Sequence, residues 1–194
     1  MLPPRLPDNE LDRLSALRAL GLLDTSREPR YDRYVRLVRQ LLAVPTAAIT
    51  LIDSNRQWFK GREGMPLRES SRDVSFCGHA ILERGMLCIP DTHADPRFAQ
   101  NPFVVGPPHI RFYAGCPLRV PGGFAVGTLC AIDAQPRAAD REQLMALRDL
   151  ADCLEREFAT QLLMRDVRGH DPAGALPRTS AFKTLESGRP PEPA

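Results

Sequence analysis

The chain has 194 residues, 43% hydrophobic and 26% charged, which suits a single soluble domain large enough to bury its own core. Its formal net charge is only +2 and its arginines are scattered, so no basic footprint for nucleic acid is expected. No apolar run approaches the ~18 residues of a membrane helix, and the opening residues contain no uninterrupted apolar segment, so neither a membrane span nor a secretory signal is expected and the location read is cytoplasmic.

In chain order, Asp8 or Asn9 can cap a first helix in which Leu11, Leu14, Leu17 and Leu20 recur, with Gly21 ending it. A second helix fits residues 31–42, with Tyr34, Val35, Val38, Leu41 and Leu42 on one face and Pro45 closing it. Residues 46–53 are almost wholly apolar and read as a central strand; residues 57–62, with Trp58 and Phe59, give its hairpin partner. Ser75 can cap a short helix from Phe76 to about Glu83, followed by a strand over 86–89 that Pro90 stops. Residues 91–109 are rich in Pro, Asp, Asn and Gly and read as a long loop of the kind that carries function.

The clearest alternation follows. Ile110, Phe112, Ala114, Cys116 and Leu118 share one strand face, and Arg111, Tyr113, Gly115 and Arg119 share the other. Pro121, Gly122 and Gly123 form a turn, and residues 124–132 return as a strand. Asp140 starts a last helix whose Leu144, Leu147, Ala151, Leu154, Phe158 and Leu162 form a heptad-like seam, read either as packing on the sheet or as a parallel dimer. Residues 1–167 are expected as one domain and 168–194 as a disordered tail. Strand hairpins joined by a helical excursion predict an α+β domain with an antiparallel sheet.

The order and several motifs resemble the GAF domain, the small-molecule sensor fold of bacterial signalling and two-component proteins. The resemblance rests on FCGHAI at 76–81, DPRFAQNP at 95–102, GPPHIRFYAGCPL at 106–118, GTLCAID at 127–133 with Pro136-Arg137, and the early Leu22-Leu23-Asp24-Thr25 and Arg56-Gln57-Trp58-Phe59. It implies a twisted antiparallel sheet with terminal helices on one face and a lid-covered pocket on the other. It also implies a homodimer through the terminal helices. With no effector after Leu163, it implies a stand-alone sensor that signals to a separate kinase or cyclase. No cofactor is expected.

Three of the five cysteines and three of the four histidines fall within residues 73–118, which suggests a pocket. Cys77, in the first turn of a helix, is either a thiolate-prone redox group or a small buried thiol. His79 either reaches a ligand or bonds a loop carbonyl, and Asp91 either holds a ligand cation or anchors the loop's amides. Arg111 would clamp an anion and Tyr113 would offer a hydroxyl or a stacking ring, unless Arg111 is paired with Asp91, Asp95 or Asp133. Phe98, Asn101 and Phe103 would be lid residues, with Asn101 counted among the ligand-binding candidates, and Trp58 belongs to the core. Cys77, His79 and Cys88 lie close in sequence but lack metal-ligand spacing, so no metal is expected.

Two functions follow. One is a non-catalytic sensor for a small molecule held between sheet and lid. The other is implied by a looser resemblance to free methionine-(R)-sulfoxide reductases, thiol enzymes on the same fold, in which Cys77, Cys88 and Cys116 would share the redox chemistry. Bilin attachment, as in phytochrome-like relatives, is not expected, because Gly78 separates Cys77 from His79.

Overall fold

In the computed structural model, which describes residues 1–169, six strands form one antiparallel sheet in the order β3-β2-β1-β6-β5-β4. They are β1 (Thr46–Ile52), β2 (Arg56–Glu63), β3 (Glu69–Ser71), β4 (Leu87–Ile89), β5 (Phe112–Arg119) and β6 (Ala125–Asp133). The helices are α1 (Glu10–Leu20), α2 (Pro29–Leu42), α3 (Phe76–Ala80), α4 (Pro102–Val105) and α5 (Arg141–Gly169), with a 3-10 turn over Arg72–Val74. The expected α+β class holds. The tail expected from residue 168 lies outside the described residues, apart from the end of α5.

The central strands are covered on both sides, which is why β1 and β6 read as apolar runs without alternation. One face packs Ala47, Ile49, Leu51, Val126, Leu129 and Ala131 against α1, α2 and α5. The other packs Ala48, Ile52, Cys130 and Ile132 against α3 and the long loop. The sheet thus separates a helix core from a smaller pocket-side core. Burying this much apolar surface is the main drive for the fold.

Several elements differ from expectation for local reasons. β3 is three polar residues on the sheet edge, without the apolar alternation that marks a strand. α4 is one turn hidden in the Pro-rich loop, capped where the Asn101 side chain accepts from Phe103 N at 2.9 Å. Leu11 is solvent-exposed at 84%, because steps of three residues drift around a helix and place it about 180° from Leu20. Buried Arg13 takes the inner position, donating to Ile52 O at 2.7 Å. α5 opens with a reciprocal cap, Gln143 N to Asp140 Oδ1 at 2.7 Å and Asp140 N to Gln143 Oε1 at 3.2 Å. Its seam residues Leu147, Ala151, Leu154 and Phe158 are fully buried in the helix-side core, so the seam serves packing.

No helix among the described residues is long and apolar enough to cross a membrane.

Candidate functional site

A cavity of about 490 Å³ opens between the sheet and its pocket-side cover. Gln57, Phe59, Tyr113, Ile132 and Asp133 form the sheet wall. Val74, Ser75, Phe76 and Cys77 form a second wall, and Met65, Pro66, Leu67, Phe103, Pro107, Pro108 and Ile110 close over it from two loops. The lining contains no Lys, Arg or His. Its one carboxylate, Asp133, is buried and occupied: it bonds Arg137 and accepts from Gln135 N at 3.0 Å. A space of this size, apolar with a few polar atoms, has the character of a small-molecule site.

The wall carrying Cys77 is fixed from beneath. The Ser75 hydroxyl bonds Gln57 of β2 and accepts from Gly78 N at 2.8 Å, capping α3 and fastening it to the sheet. Phe76 stacks on Phe98 at 4.5 Å and on Tyr113 at 5.3 Å, so the buried ring of Phe98 supports the wall from behind.

Below that wall lies a buried polar cluster. Cys77 Sγ and Cys130 Sγ are 3.9 Å apart, the Tyr113 hydroxyl donates to Cys77 Sγ at 3.3 Å, and the Thr50 and Thr128 hydroxyls bond each other at 2.9 Å. Thr50 and Thr128 are cross-strand partners of β1 and β6, and Cys130 follows two residues later on the same face. Burial pushes the Cys77 thiol up, but hydrogen bonds offered to its sulfur by Cys130, Thr128, Thr50 and Tyr113 outweigh it and bring it to about 7. The bond to Cys77, then burial, pushes Cys130 well up, and burial does the same to Tyr113.

A family model for the GAF domain matches residues 26–158. The chain belongs to the GAF domain family. It is 37% identical over 147 residues to a cyclic di-GMP phosphodiesterase of Pseudomonas aeruginosa, an alignment that takes in 76% of the chain but only 25% of that protein. The chain thus spans about a quarter of that relative's length. Among solved structures, it resembles a domain of a two-component sensor histidine kinase protein from Sinorhizobium meliloti, described there as putative, at 14% identity with a TM-score of 0.57, covering 75% of this chain and 99% of that one. It also resembles free methionine-R-sulfoxide reductase from Neisseria meningitidis at 17% identity and a TM-score of 0.56, covering 83% and 98%. At these identities the structural likenesses speak for the fold.

Within this GAF domain the residues singled out from sequence divide. Cys77 and Tyr113 line the cavity, and Phe103 covers it. Arg111 precedes β5 and makes a two-pronged ion pair with Asp91, Nε to Oδ1 at 2.9 Å and Nη2 to Oδ2 at 2.8 Å, outside the lining. The Arg111 bonds hold the Asp91 carboxyl below its ordinary range. Asp91 also accepts from His93 N at 3.0 Å, which makes the pair a loop anchor.

His79 faces away from the cavity. Its Nε2 lies 3.0 Å from Leu2 O, its ring meets Phe98 edge-on at 4.8 Å, and burial lowers its pKa. Asn101 is buried, donating to Val74 O at 2.9 Å while it caps α4, so it ties the loop to the cavity wall without entering the lining.

The cysteines divide too. Cys116 is buried in the helix-side core and the partly buried Cys88 packs against that same core, whereas Cys77 is on the pocket side. Cys116 is pushed up to about 11 by burial and accepts from Arg148 Nη1 at 2.8 Å. The thiol neighbouring Cys77 is Cys130, a residue that sequence reasoning left inside a motif without a role. Its signal was strand parity: Thr128, Cys130 and Ile132 share one face of β6. Gln57 has no role in the sequence reading, because a polar residue inside a strand gives no sign of facing a cavity, and Asp133, considered there as a partner of Arg111, instead lines the cavity and pairs with Arg137.

Among the described residues, no group of three or more His, Cys, Asp or Glu is arranged to hold a metal ion.

Proposed function

We propose that this GAF domain is a sensor for a small, uncharged, largely apolar molecule with a planar or aromatic body. The carrying observation is the lining itself. About 490 Å³ is walled by Phe59, Phe76, Tyr113, Ile110 and Ile132, with no cationic side chain to neutralise an anion. Gln57 and Ser75 supply polar atoms that would orient the ligand.

Binding would draw the 91–109 loop onto α3, and any change at β1, β5 or β6 would reach α1, α2 and α5 on the opposite face. A ligand shifts those helices only to the extent that it favours one arrangement. The output would be a signalling enzyme, attached or separate. This fits a relative in which a matching unit makes up a quarter of a cyclic di-GMP phosphodiesterase. A second copy of the chain would pair along the outer end of α5, where Leu163, Met164 and Val167 are exposed. The reductase reading is less favoured, because the sheet divides Cys77 from Cys88 and Cys116.

The test uses Nile red, a neutral aromatic dye, as probe. Its emission should rise on mixing with the protein and fall when neutral aromatic compounds compete. Cyclic nucleotides should not compete, and Ile132→Arg should abolish uptake. Tight binding of cyclic nucleotides with no uptake of the dye would overturn the reading.

A further inference from the structure

The two thiols under the cavity wall have no part in the sensor reading. Cys77 lies at 2% exposure in the cavity lining, and Cys130 sits behind it, fully buried, on the neighbouring strand face. Their sulfurs are 3.9 Å apart. A disulfide needs about 2.05 Å, so closure asks for roughly 1.9 Å of approach, within reach of side-chain rotation and a small shift of a five-residue helix. On the pocket side of the sheet no other cysteine is packed among the core residues.

We propose that Cys77 and Cys130 are a reversible redox pair, oxidised to a disulfide by a hydroperoxide that enters through the cavity. Cys77 is the attacking sulfur. It lines the space an oxidant would enter, and the Tyr113 hydroxyl donates to it. Its thiol is also the one whose acidity the cluster increases, while that of Cys130 is decreased.

In the first step the Cys77 thiolate attacks one peroxide oxygen. The S–O bond forms and the O–O bond breaks. The sulfur gives up two electrons as a sulfenic acid, and the departing hydroxide or alkoxide takes a proton. In the second, the Cys130 sulfur attacks Cys77 as the sulfenic S–O bond breaks. The hydroxyl leaves as water with the Cys130 proton, so two thiols and one hydroperoxide give one disulfide, one alcohol or water, and one further water. A dithiol reductant reverses it by exchange.

The disulfide would pin α3 to β6 and shift the wall made by Ser75, Phe76 and Cys77. The proposal needs the cavity only as an entry for the oxidant, so it stands or falls independently of which ligand binds there.

The experiment uses the full chain with exposed Cys153 replaced by Ser, to remove intermolecular coupling. After hydrogen peroxide treatment, blocking of free thiols and proteolysis, a Cys77–Cys130 linked peptide is expected. The intact chain should lose about 2 Da, and dithiothreitol should restore it. In Cys130→Ala, Cys77 should stop at the sulfenic acid and be trapped by dimedone. If Cys77 and Cys130 are both recovered as blocked thiols while Cys88 or Cys116 is oxidised, the proposal is overturned. The peptide map of the Cys153→Ser chain decides this alone should Cys130→Ala fail to fold.

Discussion

The Tyr113 hydroxyl reaches Cys77 Sγ at 3.3 Å because it lies across the bare backbone of Gly115. A Cβ built on Gly115 would fall 2.0 Å from that hydroxyl. The glycine is thus required by a neighbouring side chain, since its own φ is unexceptional.

Gly115→Ala should therefore displace a buried ring that stacks on Phe76, at a cost of about 1–3 kcal/mol read as a lower midpoint in thermal unfolding. Tyr113→Phe keeps the ring and removes one donor from the Cys77 sulfur. The pKa of Cys77 should then rise above about 7, seen as a higher pH midpoint for alkylation of Cys77 in the Cys153→Ser chain. A midpoint that stays put would show that the phenol does not tune the thiol.

A second buried network joins α1 to the rest of the fold. Glu10 accepts from Arg13 Nε at 2.7 Å and Arg72 Nη1 at 2.5 Å, and Arg72 also donates to Asp53 O at 3.0 Å. Burial pushes the Glu10 carboxyl up, but the two guanidinium groups pull it further down, from 4.5 to about 2. A depressed carboxyl contributes its stability above the unfolded pKa and loses it as pH falls through the folded one. The contribution is therefore full above pH 4.5 and gone below about 2. A shift of this size is worth on the order of 3 kcal/mol. Glu10→Gln should cost a similar amount at neutral pH and flatten the acid limb of urea-unfolding profiles. Parallel profiles for the two proteins would refute the assignment.

The sequence carried the layers of this fold further than it carried the site. Apolar runs, glycine and proline stops and the β5 alternation are local signals, and they place five of the six strands, all but β3, and the three long helices. Two motifs quoted apart, Leu22–Thr25 and Arg56–Phe59, turn out to be one contact: Asp24 clamps Arg56 through both oxygens at 2.9 and 2.7 Å. Long-range pairings of this kind leave no spacing to read. Arg111 shows the same limit from the other side. Alternation put it on the Tyr113 face of a strand, but β5 begins one residue later, so the guanidinium turns to Asp91 instead of the cavity. Cys130 needed the three-dimensional register of β6 over α3.

That placement makes Arg111 a control for the ligand reading. Arg111→Gln should leave Nile red affinity within about twofold, because neither partner of the ion pair lines the cavity and exposed pairs contribute little. Hydrogen exchange should instead quicken in the 91–109 loop, where Thr92 N bonds Arg111 O at 2.8 Å. A tenfold or greater loss of dye binding would restore Arg111 as a ligand contact.

The outer end of α5 gives the sharpest test of assembly. Leu154 and Phe158, the obvious seam residues, are buried within the monomer, so Leu154→Asp should unfold the chain and says nothing about dimers. Leu163 and Val167, one helical turn apart, are 66% and 71% exposed. Burying each such side chain is worth about 1.5–3 kcal/mol, and a twofold interface counts each substitution twice. The double variant Leu163→Asp with Val167→Asp should therefore raise the dimer dissociation constant at least about a thousandfold. Its unfolding midpoint measured as a monomer should barely move, since these side chains leave no hole in the core. Sedimentation velocity reads the outcome directly. A wild-type chain that stays monomeric at high concentration, or a double variant that stays dimeric, would place any assembly on another face.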